Sequence, residues 1–133
     1  MDQANPAGRA AALWAGLNLV VLLVLSGLVV RERRRHGVAI GDAGVPELLR
    51  AQRAFGNAVE YVAPGLGALA VLAVAGAPAA AVHMIGGGLF AGRVAHGAAL
   101  SLNAGPSLGR TVGMGLTWTA LIAAAAVLLV YGI

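Results

Sequence analysis

Residues 10–30 run without a single charged side chain, and only Asn18 and Ser26 among them are clearly polar. A helix that crosses the hydrocarbon core of a bilayer needs about 20 such residues, so this run by itself points to a membrane. Three more runs follow. Segment 47–75 is polar in its first half and apolar in its second, 79–101 is interrupted only by His83, Arg93 and His96, and 109–132 has no charge after Arg110. Composition agrees. Of 133 residues, 59% are hydrophobic and 11% charged, where a soluble domain carries about 25% charge. So apolar a chain is not disordered. With no cysteine, it has neither a disulfide framework nor a thiolate of its own. The expected fold is an all-α integral membrane protein, one four-helix transmembrane domain over residues 1–133 with spans at about 10–30, 47–75, 79–101 and 109–132. Four such helices leave only short loops, so any function lies in the helices and their ends.

The charges that remain set the topology. All nine basic residues are arginine, and six of them (Arg31, Arg33, Arg34, Arg35, Arg50 and Arg53) fall in region 31–53, with Arg110 opening the fourth span on the same side. The positive-inside rule puts that side in the cytoplasm and both termini outside; the alanine-, glycine- and arginine-rich usage fits a GC-rich bacterial genome, so the expected setting is a bacterial inner membrane with the termini in the periplasm. The first run is not a signal peptide, because its positive cluster follows the apolar stretch. Arginines this few, framed by apolar runs, give no nucleic-acid motif. The second helix is expected to start near Pro46, which suits a first helical position, with Glu47 in the first turn. Gly76 and Pro78 mark the next turn, and Asn103, Gly105 and Pro106 the last.

Arg50, Arg53, Asn57, Glu60 and Pro64 recur at spacings of three and four, so they share one face of the second helix. Arg53 can snorkel to the interface. Glu60 lies about two turns deeper and is too short to do so. Its charge must face protein or a watery cavity, with an arginine as the expected partner. The stripe has two readings: a structural Arg–Glu pair that sets helix register, or a polar pocket for an anionic or zwitterionic ligand. Asn57, which both donates and accepts, favours the pocket. On the third helix Arg93 and His96 share a face, although a histidine near a helix end can simply bond a neighbour. His83 sits near the opposite end and reads as interfacial, and His36 as solvated. His83 and His96 are about 20 Å apart along a helix, so no metal site is expected. Gly88 with Gly92, and Gly109 with Gly113, are small-xxx-small pairs that permit close helix approach.

Arg53, Ala54, Phe55, Asn57, Glu60, Tyr61 and Pro64 together resemble the second-helix signature of the MAPEG family, the membrane-associated proteins in eicosanoid and glutathione metabolism. The segment from Gly92 through Arg93 to His96 is similar to a third-helix motif of that family, and Arg110 with Thr111 sits where members have an arginine followed by a hydroxyl residue. Phe55, Leu100 and Met114 depart from the pattern, standing where some members carry His or Gln, Tyr and a hydroxyl residue.

The resemblance implies a homotrimer that binds glutathione between subunits at the cytoplasmic end. Carried over by position, Arg53, Asn57, Glu60 and Tyr61 would hold the glutathione backbone. Arg31, Arg93 and His96 would complete the pocket, and Arg110 would face the thiol as the catalytic group. Two carboxylates and one ammonium on glutathione suit several arginines and one carboxylate, and an arginine near a thiol favours the thiolate. The expected function is a glutathione-dependent membrane enzyme, of transferase or peroxidase type, acting on lipophilic electrophiles or hydroperoxides that enter from the bilayer. The alternative is a non-enzymatic trimeric membrane protein that binds glutathione or a lipid headgroup. A small transporter is a third reading, disfavoured because the polar residues cluster at one end. Arg110 has a plainer reading as well, as a helix-end cation that snorkels to headgroups.

Overall fold

The computed structural model describes residues 5–103 and 105–133. The described residues form four helices: α1 Pro6–His36, α2 Pro46–Val74, α3 Ala79–Leu102 and α4 Leu108–Gly132. Each boundary has a local cause. Asn5 caps α1 by accepting from the Gly8 N–H at 3.0 Å, and Gly37, at φ 66°, ends it in the left-handed conformation that glycine adopts without strain. Pro46 opens α2 and Ser107 caps α4. The α1–α2 loop is held by the Arg33 guanidinium, which donates to the carbonyls of Val38, Ala39 and Gly41, while Gln52 donates to Gly41 as well. Glu32, 4% exposed, holds Arg31 at 2.8 Å. The hydrogen bond from Arg31 keeps the Glu32 carboxyl below its ordinary range despite its desolvation.

Neighbouring helices run antiparallel, with α1 and α3 parallel to each other. Trp14 of α1 meets Gly86 and Gly87 of α3, and Leu25 meets Gly97 further along. α2 and α3 each pack against the other three helices, whereas α1 and α4 share no contact among the described residues. One apolar cluster sits at the end that holds the first turns of α1, around Ala10, Leu69, Leu72, Val82, Ile85 and Ala124. A second sits towards the α1–α2 loop, around Leu25, Ala54, Ala58 and Leu100.

Three of the four helices, α1, α2 and α4, are long and apolar enough to cross a membrane. The expectation of four spans of one kind needs that adjustment. α3 has the length, 24 residues or about 36 Å, but its glycines, two histidines and Arg93 lower its hydropathy. It can be less apolar because its neighbours are helices: it lies alongside α1 and α4 through the same depth and carries the most intimate contact in the bundle.

That contact is between α3 and α4, where the two small-xxx-small pairs meet each other. A methyl group placed on Gly113 would lie 2.6 Å from the His96 nitrogen and 2.8 Å from the Gly92 carbonyl oxygen, and one on Gly92 would lie 2.8 Å from the Gly113 carbonyl. The backbones touch, and at Gly113 the nearest atoms belong to the α3 backbone and the His96 Cβ, with no flexible side-chain end to give way. Gly113→Ala is therefore expected to destabilise the detergent-solubilised protein by about 1–3 kcal/mol, as overpacking does. Gly27→Ala, at a site with open space around it, should leave the thermal unfolding midpoint unchanged or raise it slightly. Equal midpoints for the two variants would mean that α3 and α4 are not in backbone contact.

Candidate functional site

The close approach of α3 and α4 brings Arg93 within reach of Thr117. Arg93 is 1% exposed and Thr117 fully buried. The guanidinium donates Nε–H to Thr117 Oγ1 at 3.0 Å, Nη1 to Asn57 Oδ1 at 2.7 Å and Nη2 to Met114 Sδ at 3.2 Å. Its carbon lies 5.0 Å from the centre of the Tyr61 ring. Thr117 in turn donates to the Gly113 carbonyl at 2.8 Å. No carboxylate faces Arg93 among the described residues. A cation taken this far from water costs several kcal/mol, offset here by neutral acceptors and an aromatic face.

The arrangement fixes Asn57. A guanidinium can only donate, so the amide oxygen must be the atom that meets it, and the amide NH2 is left for whatever lies on the other side. On that side is a cleft of about 240 Å³ lined by Leu49, Arg50, Arg53, Asn57, His96, Leu100 and Arg110. Among the described residues, three arginines line it and no carboxylate does. His96 Nδ1 and Arg50 Nε are buried without a hydrogen-bond partner among the described residues, which in a native site calls for a ligand or water. Arg110 stands in the first turn of α4, with Nη1 donating to the Gly105 carbonyl at 3.0 Å. A helix N-terminus is the end least favourable to a cation, so Arg110 and the helix end together make this corner attractive to an anion.

A wider groove, about 520 Å³, shares His96 and Arg110 with the polar cleft and runs from Pro106, just before α4, along that helix past Thr111, Met114, Gly115 and Trp118. Arg110 thus stands between a polar chamber and a mostly apolar one.

Of the residues singled out from sequence, the structure gathers Arg53, Asn57, His96 and Arg110 in the cleft wall. Arg93 lies behind Asn57. Tyr61 lies beneath Arg93, its hydroxyl 3.5 Å from the Trp118 indole nitrogen. Arg31 stays at the end of α1, mostly exposed and bound to Glu32. Glu60 is exposed on the outer face of α2, where it forms no ion pair with an arginine among the described residues. Three contributors were not singled out as site residues from the sequence. Arg50 lines the cleft, and its signal was present in the α2 stripe. Met114 and Thr117 share the α4 face that starts at Arg110 and Gly113, a spacing visible only once Arg93 is known to point there.

This fold and site define a helical membrane protein with a cationic cleft inside one end of its bundle. The chain belongs to the MAPEG family, which it matches over residues 11–130. It is similar to the inner membrane protein YecN of Escherichia coli K12 and to its counterpart in E. coli O6:H1 strain CFT073. Each is 38% identical over 111 residues, covering 84% of this chain and 83% of the relative. No solved structure matches.

The geometry makes a counter-intuitive prediction for Asn57→Asp. The change keeps the side chain's shape and gives Arg93 the carboxylate it lacks. The charged bond should stabilise the protein by about 1 kcal/mol, seen as a higher thermal midpoint in detergent. It also replaces the NH2 group with an anionic oxygen, so uptake of any carboxylate ligand should fall sharply. A lower midpoint would show that Arg93 already has a counter-charge.

Proposed function

We propose that the protein is a glutathione-dependent membrane enzyme that joins the thiol to lipophilic electrophiles or uses it to reduce hydroperoxides. The observation that carries this reading is the cleft itself: Arg50, Arg53 and Arg110, with Asn57 and His96, converge on a space of about 240 Å³ without a carboxylate among them. A ligand bearing two carboxylates meets this charge, and arginine forks pair with carboxylates bidentately. In the proposed arrangement Arg53, the Asn57 amide and His96 hold the peptide carboxylates. Arg110 lies by the sulfur, where its charge favours the thiolate. The adjoining groove along α4 receives the apolar substrate. With an aryl chloride, the thiolate pair forms the carbon–sulfur bond, chloride leaves with the bonding pair, and the thiol proton passes to solvent.

The ammonium of glutathione needs an anion, and the described residues that line the cleft offer none. Glu60 sits on the outer face of α2, exposed in the protomer. A charge at that depth is costly against lipid. We therefore place it against a neighbouring copy, in a homotrimer whose site is completed across the subunit boundary. Ala63, Gly67 and Ala70, also exposed on α2, give that boundary the small residues that membrane helices use for close packing. The exposed Arg31 joins the site on the same terms. The location proposed is a bacterial inner membrane, as the name of the E. coli relatives has it, with the polar cleft towards the cytoplasm because seven arginines (the six of region 31–53 and Arg110) lie at that end.

Calorimetry with glutathione and a chlorodinitrobenzene assay test the reading on one sample. Arg53→Ala is expected to weaken glutathione binding by about tenfold or more. Arg110→Leu should leave affinity within a few-fold and lower the transfer rate by about 10²-fold, equivalent to about 2.7 kcal/mol. The ultraviolet thiolate absorbance of bound glutathione should fall in parallel. Full rate and thiolate signal in Arg110→Leu would remove that residue from the chemistry. Binding without turnover in the unaltered protein would favour the non-enzymatic alternative, a reading supported by the absence of hydroxyls at Leu100 and Met114. Native mass spectrometry of the same sample should give three protomers, and full-affinity binding by a monomer would refute the shared site.

A further inference from the structure

The end of the bundle opposite the polar cleft holds a second basic lining. A cleft of about 440 Å³ opens there between the first turns of α1 and α3, walled by Pro6, Arg9, Ala10, Leu13, Ala79 and His83. Its depth in the membrane follows from the sequence. Arg9 immediately precedes the charge-free run 10–30, which at 1.5 Å per residue covers about 30 Å, the thickness of the hydrocarbon core. The Arg9 guanidinium therefore stands at headgroup level. It forms no ion pair or hydrogen bond with another described side chain. The described acidic residues, Glu32, Asp42, Glu47 and Glu60, all lie elsewhere: the first three towards the α1–α2 loop and the last midway along α2.

His83 is set up as a donor. Trp14 Nε1–H donates to His83 Nδ1 at 3.1 Å, with the two rings edge-on and their centres 6.2 Å apart. An indole nitrogen can only donate, so His83 Nδ1 is the acceptor and the ring proton sits on Nε2. Trp14 is itself located by α3: a Cβ on Gly86 would run into the Trp14 side chain, and one on Gly87 would lie 3.3 Å from its ring. Two glycines thus make room for an indole that holds His83 in one tautomer, beside an arginine, at the depth of lipid phosphates.

We propose that this cleft binds the phosphate of a phospholipid headgroup. Arg9 supplies the charge and His83 Nε2–H a directed hydrogen bond. Ala10 and Leu13 offer an apolar floor to the start of an acyl chain, which a soluble anion would not need. With no acidic side chain among the described residues that wall it, the cleft selects an anionic lipid such as phosphatidylglycerol over the zwitterionic phosphatidylcholine. The site is independent of what the polar cleft binds.

Native mass spectrometry of the full chain, with phosphatidylglycerol or phosphatidylcholine titrated into the detergent, reads bound lipid directly. The unaltered protein should retain phosphatidylglycerol more tightly than phosphatidylcholine. Arg9→Gln and His83→Leu should each weaken phosphatidylglycerol by about tenfold. Trp14→Phe keeps a ring against Gly86 but removes the N–H, and should weaken it by a smaller factor. Arg34→Gln, in the basic cluster at the other end, should leave it unchanged. Retention of the lipid in millimolar inorganic phosphate supports a headgroup site, whereas its displacement would assign the cleft to a soluble phosphate and overturn the lipid reading. Unchanged phosphatidylglycerol affinity in both Arg9→Gln and His83→Leu would overturn the site itself.

Discussion

The Arg93 guanidinium is a full charge held about midway along α3, where neither water nor a carboxylate of the described protomer reaches it. Such a group tolerates little error in its surroundings, because each N–H left unbonded costs nearly its full desolvation. Its acceptors come from two other helices: Asn57 on α2, and Met114 and Thr117 on α4. Satisfying them fixes the rotation of α2 and α4 about α3. The touching backbones at Gly92 and Gly113 are what place Thr117 close enough to serve. Helix packing and polar satisfaction are in this way one constraint, and the cleft wall follows from it. With Asn57 oriented by Arg93, and His96 one turn further along α3, the cationic cleft has its shape before any ligand arrives.

Much of this was legible in the residues taken in order. The four helices announced themselves through apolar runs, Pro46 and the Gly–Pro turns, because in a bilayer the demand for internally bonded backbone leaves few alternatives to a helix. The α2 stripe was legible because helical periodicity is local. Partners that lie far apart in sequence were not. That Arg93 meets Thr117, 24 positions away, depends on the crossing of α3 with α4, and the small-xxx-small pairs said only that some close crossing existed. Arg33 looked like one more charge of a basic cluster, yet it ties the α1–α2 loop through three carbonyls. Glu60 was expected to find an arginine. Periodicity placed it on the right stripe, but the stripe is wider than the cleft, and Glu60 lies on the outward part of it.

The two ends of the bundle are chemically distinct. One has an interior cleft with arginines and no carboxylate, beside an apolar groove along α4. The other is closed by an alanine- and leucine-rich cluster, with its polar groups pushed to the rim at Arg9 and His83. A polar chamber that opens onto an apolar groove suits a reaction between a water-soluble thiol and a membrane-dissolved partner. That assignment to glutathione chemistry is our proposal; membership of the MAPEG family, four helices and a membrane setting stand without it.

Arg93 donates to the Asn57 amide oxygen and is absent from the cleft lining, so it orders the amide that the cleft presents without standing in the cleft itself. A double-mutant cycle on glutathione affinity, measured by calorimetry with the unaltered protein, Arg93→Met, Asn57→Ala and the double variant, tests it most directly. If Arg93 works through Asn57, the amide is no longer held once Arg93 is gone. Removing Asn57 as well should then cost little more, leaving a coupling of about 1 kcal/mol or greater. Strictly additive losses would contradict this coupling and would mean that Arg93 meets the ligand on its own.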